Sequence, residues 1–314
     1  MTLCVKSLLI SLFIFADTVL CAAGVKITFL DVGVGDAAVI QIDQAGEPFT
    51  IIVDGGNTDS DLKDNLPTLL AQDPTVELVV LSHPHYDHTG ALPWLINSGY
   101  AVKRVWWTGE IYSGPNYNLF RISCLAKGIP IERPAETNIS FPGFSNFQLR
   151  VFSNGQKFSG TSGSAINNNS LVFQLIFEPS PQVKATVLFT GDIWREEGQR
   201  LVEQYGDGLQ SDVIRVPHHG TTRLFEEFPG KVGARYAIVS SSATNETYML
   251  PRKEALDLYA KFGSIYCTCG DENKKKNITV TISNTGEISI SPDQAPYYAW
   301  IQDENGKLKK IVVK

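Results

Sequence analysis

The chain has 314 residues, 43% of them hydrophobic, enough for one large domain or two small ones around a sizeable core. With 33 acidic against 27 basic residues, the net charge is −6 and the pI about 5.4. That balance excludes a broad basic groove for nucleic acid, though not local binding of a phosphate.

The N-terminus reads as an export signal. Lys6 supplies a positive end, Leu8 to Ala16 is apolar except for Ser11, and Cys21-Ala22-Ala23 offers small residues for cleavage. The stretch is too short to span a bilayer as a mature helix, and no later stretch reads as a transmembrane helix. No stable membrane insertion is expected after cleavage. The chain therefore divides into a signal peptide over 1–23, a main body over 24–292 and a C-terminal hairpin or tail over 293–314. The expected location is exported, periplasmic or secreted.

Residues 25–31 and 36–42 read as two strands joined by the Gly33-x-Gly35 turn, and Phe49 to Val53 as a third, ending at Asp54-Gly55-Gly56. Asp61 to Leu70 has helical character. Val76 to Leu81 is apolar and rich in β-branched residues, which predicts a buried strand. Thr89 to Leu95 opens a helix. Val102 to Trp107 is a further strand, and Leu119 to Lys127 a helix stopped by Gly128. Strands follow at 148–152, 170–177 and 185–189. The second half adds a helix over 196–205, strands at 213–216 and 236–240, and a helix over 253–262. Strands at 277–283 and 288–291 flank a Gly286 turn. A hairpin is expected over 297–302 and 308–313, turning at Asn305-Gly306. Strands followed by helices in each half fit two sheets packed face to face with helices outside.

Between the strand at 76–81 and the helix after it lies Leu81-Ser82-His83-Pro84-His85-Tyr86-Asp87-His88-Thr89-Gly90. Six positions hold three of the five histidines and an aspartate. A lone histidine is more often a surface or satisfied core residue than a ligand. Four ligand types in one short loop at the end of a buried strand are hard to explain by packing, and they suit zinc, manganese or iron.

This His-x-His-x-Asp-His run is the signature of the metallo-β-lactamase superfamily. Other segments resemble the hydrolase domain of ComEC-type competence proteins: 29–36 with Asp36, 52–56 with Asp54, Asn167-Asn168-Asn169-Ser170, Thr190-Gly191-Asp192, Val216-Pro217-His218-His219-Gly220, and the late stretch 240–251. The resemblance runs from about residue 25 to 290. It implies an αββα sandwich of two mixed sheets, here as a free-standing exported protein. It also implies a metal-dependent hydrolase, a phosphodiesterase whose nucleophile is a hydroxide between two divalent ions, zinc or manganese. His83 and His85 are assigned to one ion, Asp87 and His88 to the other, with Asp192 bridging. One of His218 and His219 completes the second position. His219 is slightly favoured as ligand, with His218 and Asp87 in catalytic roles. Many superfamily members place a third histidine before the bridging aspartate. Here Asn169 stands in that loop, to face the first metal or a phosphate, or to be a plain turn residue. Asp54 is expected to hold a histidine ring. Asp36, Asn57 and Thr221 are candidates for contact with substrate or support of the site. Leu250 stands where the family commonly has histidine.

The expected partner is a phosphoester, either a small molecule or nucleic acid. One alternative is a phosphorylcholine ester, with Trp106, Trp107, Tyr112 and Tyr117 as an aromatic cage. Lactone-type hydrolysis and a non-catalytic metal-binding module are the others. Of the five cysteines, Cys4 and Cys21 fall in the leader. Cys267 and Cys269 lie two apart in a probable strand, to pair with Cys124 one at a time or stay buried and free.

Overall fold

The computed structural model describes residues 24–313 apart from 45, 243–245, 271–275 and 294–295. The signal-peptide reading of 1–23 lies outside the described residues. The chain begins with an antiparallel meander of β1 (Val25–Phe29), β2 (Ala38–Gln44) and β3 (Glu47–Val53). A short parallel pair, β4 (Thr75–Val76) and β6 (Ala101–Val102), lies apart from the main sheets. β5 (Leu78–Val80), β7 (Val105–Trp106) and β8 (Ile131–Glu132) then add in parallel to β3. The second half repeats the plan. β9 (Asn138–Phe141), β10 (Phe144–Asn154), β11 (Leu171–Ser180) and β12 (Val183–Phe189) form a meander. β13 (Val213–Arg215), β14 (Tyr236–Val239) and β15 (Ser264–Cys267) continue it in parallel. β16 (Ile278–Ile282) and β17 (Ile288–Ser291) return to the first sheet beside β1. β18 (Tyr297–Gln302) and β19 (Leu308–Val313) form a separate hairpin.

The result is an eight-stranded and a seven-stranded mixed sheet. Period-two alternation decides which side chains go where. Leu78 and Val80 face the space between the sheets, whereas Val79 and Leu81 face helices. Val213 and Ile238 likewise point inward, and Ile214, Ala237 and Val239 outward. Phe173 on β11 stacks on Phe189 of β12 with ring centroids 4.8 Å apart, and Phe189 in turn meets Phe29 of β1. The helical layers lie over the outer faces. Leu92, Leu95 and Phe120 cover the first sheet; Leu201, Phe228 and Leu256 cover the second. This is the mixed α/β sandwich that the strand and helix order predicts.

Several boundaries differ from the sequence reading. The helix expected over 61–70 is two short ones, Asp59–Lys63 and Leu66–Leu69, because Pro67 cannot continue the first. The helix expected from Thr89 starts earlier, with a single turn at Tyr86–Thr89, and resumes at Leu92–Asn97. Cys267 and Cys269 are disulfide-bonded to each other, a pairing the sequence reading did not weigh, and Cys124 is free and buried.

The inward phenylalanines tie the two sheets together. Phe173→Ala should cost about 3–5 kcal/mol of stability. Chemical denaturation checks this; a loss near zero would show that the sheets do not depend on that contact.

Candidate metal centre

The site forms along one edge, where strands of both sheets end. Asp54 follows β3, the His83–His88 loop follows β5, Asp192 follows β12 and the His218-His219 pair follows β13. Ligand sites collect at the carboxyl ends of parallel strands because the loops there diverge and leave a crevice.

Close backbone approach locks the first half of the site. Gly55 N donates to His88 O at 2.7 Å, Gly90 N to Gly56 O at 2.7 Å and Ala91 N to Gly55 O at 3.0 Å. A Cβ on Gly90 would stand 2.1 Å from the Asn57 carbonyl carbon, so only glycine lets the two loops meet. This contact carries His88 over Asp54. Asp54 itself sits at φ +59. Its carboxylate accepts from Ser82 N and Ser82 Oγ, both at 2.8 Å, and takes His88 Nδ1 at 2.9 Å. With Nδ1 held, His88 presents Nε2 to the interior.

The second half is built on strain. His218 and His219 are consecutive left-handed residues at φ +47 and +55, a conformation costing about 1–2 kcal/mol each outside glycine. Both rings are thereby turned back toward Asp192. His219 Nδ1 donates to Ser240 O at 2.9 Å, which fixes the tautomer and frees Nε2. His218 is held differently: Trp194 Nε1 donates to its Nδ1 at 2.6 Å. In the neutral ring the proton is then on Nε2, so His218 offers a hydrogen-bond donor there rather than a lone pair.

Asp192 is the centre. Its Oδ2 lies 3.3 Å from His88 Nε2, 3.4 Å from His219 Nε2, 3.8 Å from His218 Nε2 and 3.9 Å from His83 Nε2. Asp87 Oδ2 stands 3.4 Å from His219 Nε2 and 4.0 Å from His88 Nε2. His83 Nε2 and His85 Nδ1 are 2.9 Å apart. Ligands about 2.1 Å from a tetrahedral zinc stand roughly 3.4 Å from one another. The Asp192 Oδ2–His88 Nε2, Asp192 Oδ2–His219 Nε2 and Asp87 Oδ2–His219 Nε2 separations match that spacing, and Asp87 stands farther from His88. His88 Nε2 and His219 Nε2 are also buried with no hydrogen-bond partner, which is costly unless a cation occupies their lone pairs. The residues present therefore fit a divalent ion.

Charge in the site points the same way. Burial opposes a proton on His88, yet Asp192, Asp54 and Asp87 outweigh it and hold the pKa well above the ordinary value. Burial likewise opposes a proton on His219, and Asp192 and Asp87 overcome it. Fields that favour a proton on Nε2 also favour a metal cation there. Burial pushes His83 and His85 down, and His218 down to about 4, so these rings are neutral.

Arg215 was missed in the sequence. It is buried beneath the centre, paired with both oxygens of Asp36 and donating to Gly191 O. Its Nη1 lies 3.3 Å from Asp192 Oδ1. Burial lowers its pKa to about 9, which leaves it charged at neutral pH. Asp36, His88, Asp192 and His219 form a tight four-residue cluster. Because Asp36 faces the guanidinium, its part in that cluster is to hold Arg215. No sequence signal marks this arginine except its place two residues before Pro217.

Two assignments need correction. Asn169 does not face the metal position. Its Oδ1 accepts from Lys157 N at 2.8 Å and Phe158 N at 2.9 Å, and its Nδ2 donates to Phe158 O at 2.8 Å. The amide is fully engaged in pinning a loop. Asn167 instead lines the cleft and leaves its Oδ1 buried and unpartnered. Asn57 turns away too: its Nδ2 donates to Val32 O at 3.3 Å and it does not line the cleft. Thr221 and Leu250 do line it.

The aromatic cage is also absent. Trp106 is buried between the sheets, Tyr117 is buried, and Arg121 lies over both Trp107 at 5.1 Å and Tyr117 at 5.6 Å. Only Tyr112 of the four reaches the cleft.

Metal content by elemental analysis, after saturation and desalting, should fall by about one ion per chain in His219→Ala. Asn169→Ala should retain its metal while losing stability, whereas Asn167→Ala should weaken metal affinity without a comparable loss of stability. Equal metal retention in all three variants would remove this assignment.

Residues 30–135 match the metallo-β-lactamase superfamily. No curated protein matches the chain. Unliganded yeast PDE1 is similar in structure at 11% identity and a TM-score of 0.50, over 82% of this chain and 99% of that one. The metallo-β-lactamase fold protein YhfI from Bacillus subtilis is similar at 12% identity and a TM-score of 0.49, over 85% and 100%. Igni18, a metallo hydrolase from Ignicoccus hospitalis, is similar at 13% identity and a TM-score of 0.46, over 86% and 100%. At these identities the likeness is one of fold. The superfamily match covers residues 30–135, about a third of the chain, and the likeness to yeast PDE1 over most of the chain is one of fold alone.

Proposed function

We propose that this chain is a metal-dependent hydrolase of phosphodiesters. The observation that carries the reading is the convergence of His88 Nε2 and His219 Nε2 on Asp192 Oδ2, with Asp87 Oδ2 against His219 Nε2, beside a cleft of about 520 Å³. A structural ion needs no such opening, whereas a catalytic one needs room for substrate. A pair of divalent ions there would lower the pKa of a water and neutralise charge on a phosphoryl group.

The chain's own residues have separable tasks. Asp87 and Asp192 hold the reacting centre, and Asp54, itself held by Ser82, keeps His88 oriented by a direct hydrogen bond to Nδ1. Ser170 Oγ accepts from Asp192 N at 3.0 Å and fixes the backbone that carries this carboxylate. His218, with its proton on Nε2, donates a hydrogen bond to a substrate oxygen as charge builds there. Trp194 sets that tautomer.

The phosphoester class rests on the resemblance to the competence hydrolases. Residues 1–23 would serve as the export signal in this reading, and 24–292 as the hydrolase. Among the described residues no helix is long and apolar enough to cross a membrane.

Metal-free protein resupplied with zinc or manganese should turn over bis(p-nitrophenyl) phosphate. Asp192→Ala should abolish turnover, and His218→Gln should lower kcat by about 10²–10³ with little change in KM. No turnover by metal-loaded wild type would sink the phosphodiesterase reading.

A further inference from the structure

The charged side chains that line the cleft sort by sign. Apart from Asp87 and Asp192 at the metal centre, they are Arg223 and Arg252. Outside the metal centre the cleft is therefore positive, in a chain whose net charge is −6.

Neither guanidinium has a carboxylate partner among the described residues. Elsewhere Arg200 pairs with Glu197, Arg215 with Asp36 and Arg235 with Asp212. Arg223 lies over the Trp194 ring, 4.5 Å from its centroid. Stacking uses the face of a guanidinium and leaves its in-plane N–H donors available. Those donors match the oxygens of a phosphate in a two-point contact.

Both arginines are anchored beside the metal centre. Arg223 follows the His218-His219 turn, and its N donates to Thr221 Oγ1 at 3.3 Å. Arg252 N donates to Gly220 O at 2.9 Å, joining the late loop to the same turn. Trp194, which carries Arg223, also holds His218. A second anion in this cleft would therefore sit next to the reacting group.

We propose that Arg223 and Arg252 form a second phosphate subsite, so that the preferred substrate is a diester carrying another phosphate near the scissile one. The inference rests on the phosphodiesterase reading and names the substrate class for that site. Two guanidiniums also repel a quaternary ammonium, which opposes the choline ester. The shared chemistry covers a small bisphosphorylated molecule and a nucleic-acid strand.

The test compares the p-nitrophenyl ester of thymidine 5′-monophosphate with the same ester phosphorylated on its 3′-oxygen. Leaving group and scissile phosphate are identical, so only the second phosphate differs. Wild-type protein loaded with zinc or manganese should show a KM about tenfold lower or more for the 3′-phosphorylated ester. Arg223→Ala and Arg252→Ala should each shrink that preference, and the double variant should abolish it.

Binding supplies a readout independent of turnover. In calorimetric titrations of EDTA-treated protein, thymidine 3′,5′-bisphosphate should bind about tenfold more tightly than thymidine 5′-monophosphate. The difference should vanish in the double variant. A preference that survives in the double variant, or none in wild type by either readout, overturns the subsite. Hydrolysis of both esters without preference removes the subsite and leaves the phosphodiesterase. A binding preference without turnover of either ester does the reverse. A short single-stranded oligodeoxynucleotide in the same titration separates the sources. Binding tighter than the bisphosphate, and lost in the double variant, marks a polymer; weaker binding marks a small molecule.

Discussion

Asp192 is a fully buried carboxylate, and burying one in isolation would be prohibitive. Burial raises its pKa, yet His219, His88 and His218 hold it well below the ordinary value. The arrangement splits the carboxylate into two roles. Arg215 engages Oδ1, and the histidines surround Oδ2. One cation serves two acids here, since Arg215 also pairs with Asp36. Asp54 and Asp87 add two further carboxylates that the guanidinium does not reach, so four acids share one buried arginine. Protons on His88 and His219 balance part of that charge, and divalent ions would do so more completely. Unpaired buried charge is strongly destabilising. The centre therefore demands cations, and that demand explains why it is assembled at a rigid edge shared by both sheets.

The rigidity comes from a repeated plan. In each half an antiparallel meander is followed by three parallel strands, and the loops at their carboxyl ends converge. Leu171 N donates to Ser82 O at 2.8 Å, so the Asp192 half is stitched to the His83 loop next to the ligands. Strain is placed at the same edge. Asp54, His218 and His219 all adopt positive φ. Asp54 holds His88, His219 turns Nε2 to the centre and His218 offers its Nε2 proton there, and an extended backbone would aim these side chains elsewhere.

What could be read in the sequence was what is contiguous in it. The His83–His88 loop announces itself because its ligand types fall within six positions after a β-branched strand. The sandwich follows from alternation, as in Leu78 and Val80 against Val79 and Leu81. The partners of the ligands were less legible. Ser82 and Ser240 act through one hydroxyl and one carbonyl, which composition does not mark. Asn167 and Asn169 look equivalent as letters. The short helix Gly163–Asn168 ends between them, and that ending turns one amide to the cleft and the other to a loop. Arg215 was invisible for a related reason: an arginine at the end of an apolar strand usually reaches solvent, and only the fold shows that Asp36 waits beneath it.

Segments far from the ligands in sequence still bear on the site. Trp300 N on β18 donates to Pro251 O at 2.8 Å, and Trp300 bridges to the backbone of Arg252. The C-terminal hairpin thereby clamps the loop that brings Leu250 and Arg252 to the cleft. Tyr297 and Ala299 are buried in the second outer core and Trp300 is buried as well, so the clamp is part of the fold. The disulfide acts on the other side of the same loop. Between Cys267 and Cys269, Thr268 Oγ1 accepts from Ser241 N at 3.1 Å and donates to Ser241 O at 2.8 Å. The residue before Ser241 is Ser240, whose carbonyl orients His219. A three-residue bridge and a hairpin thus fix the tautomer of one ligand and the position of one cleft arginine. A site whose ligands sit in loops needs such buttresses, because loops alone hold geometry too loosely for metal binding.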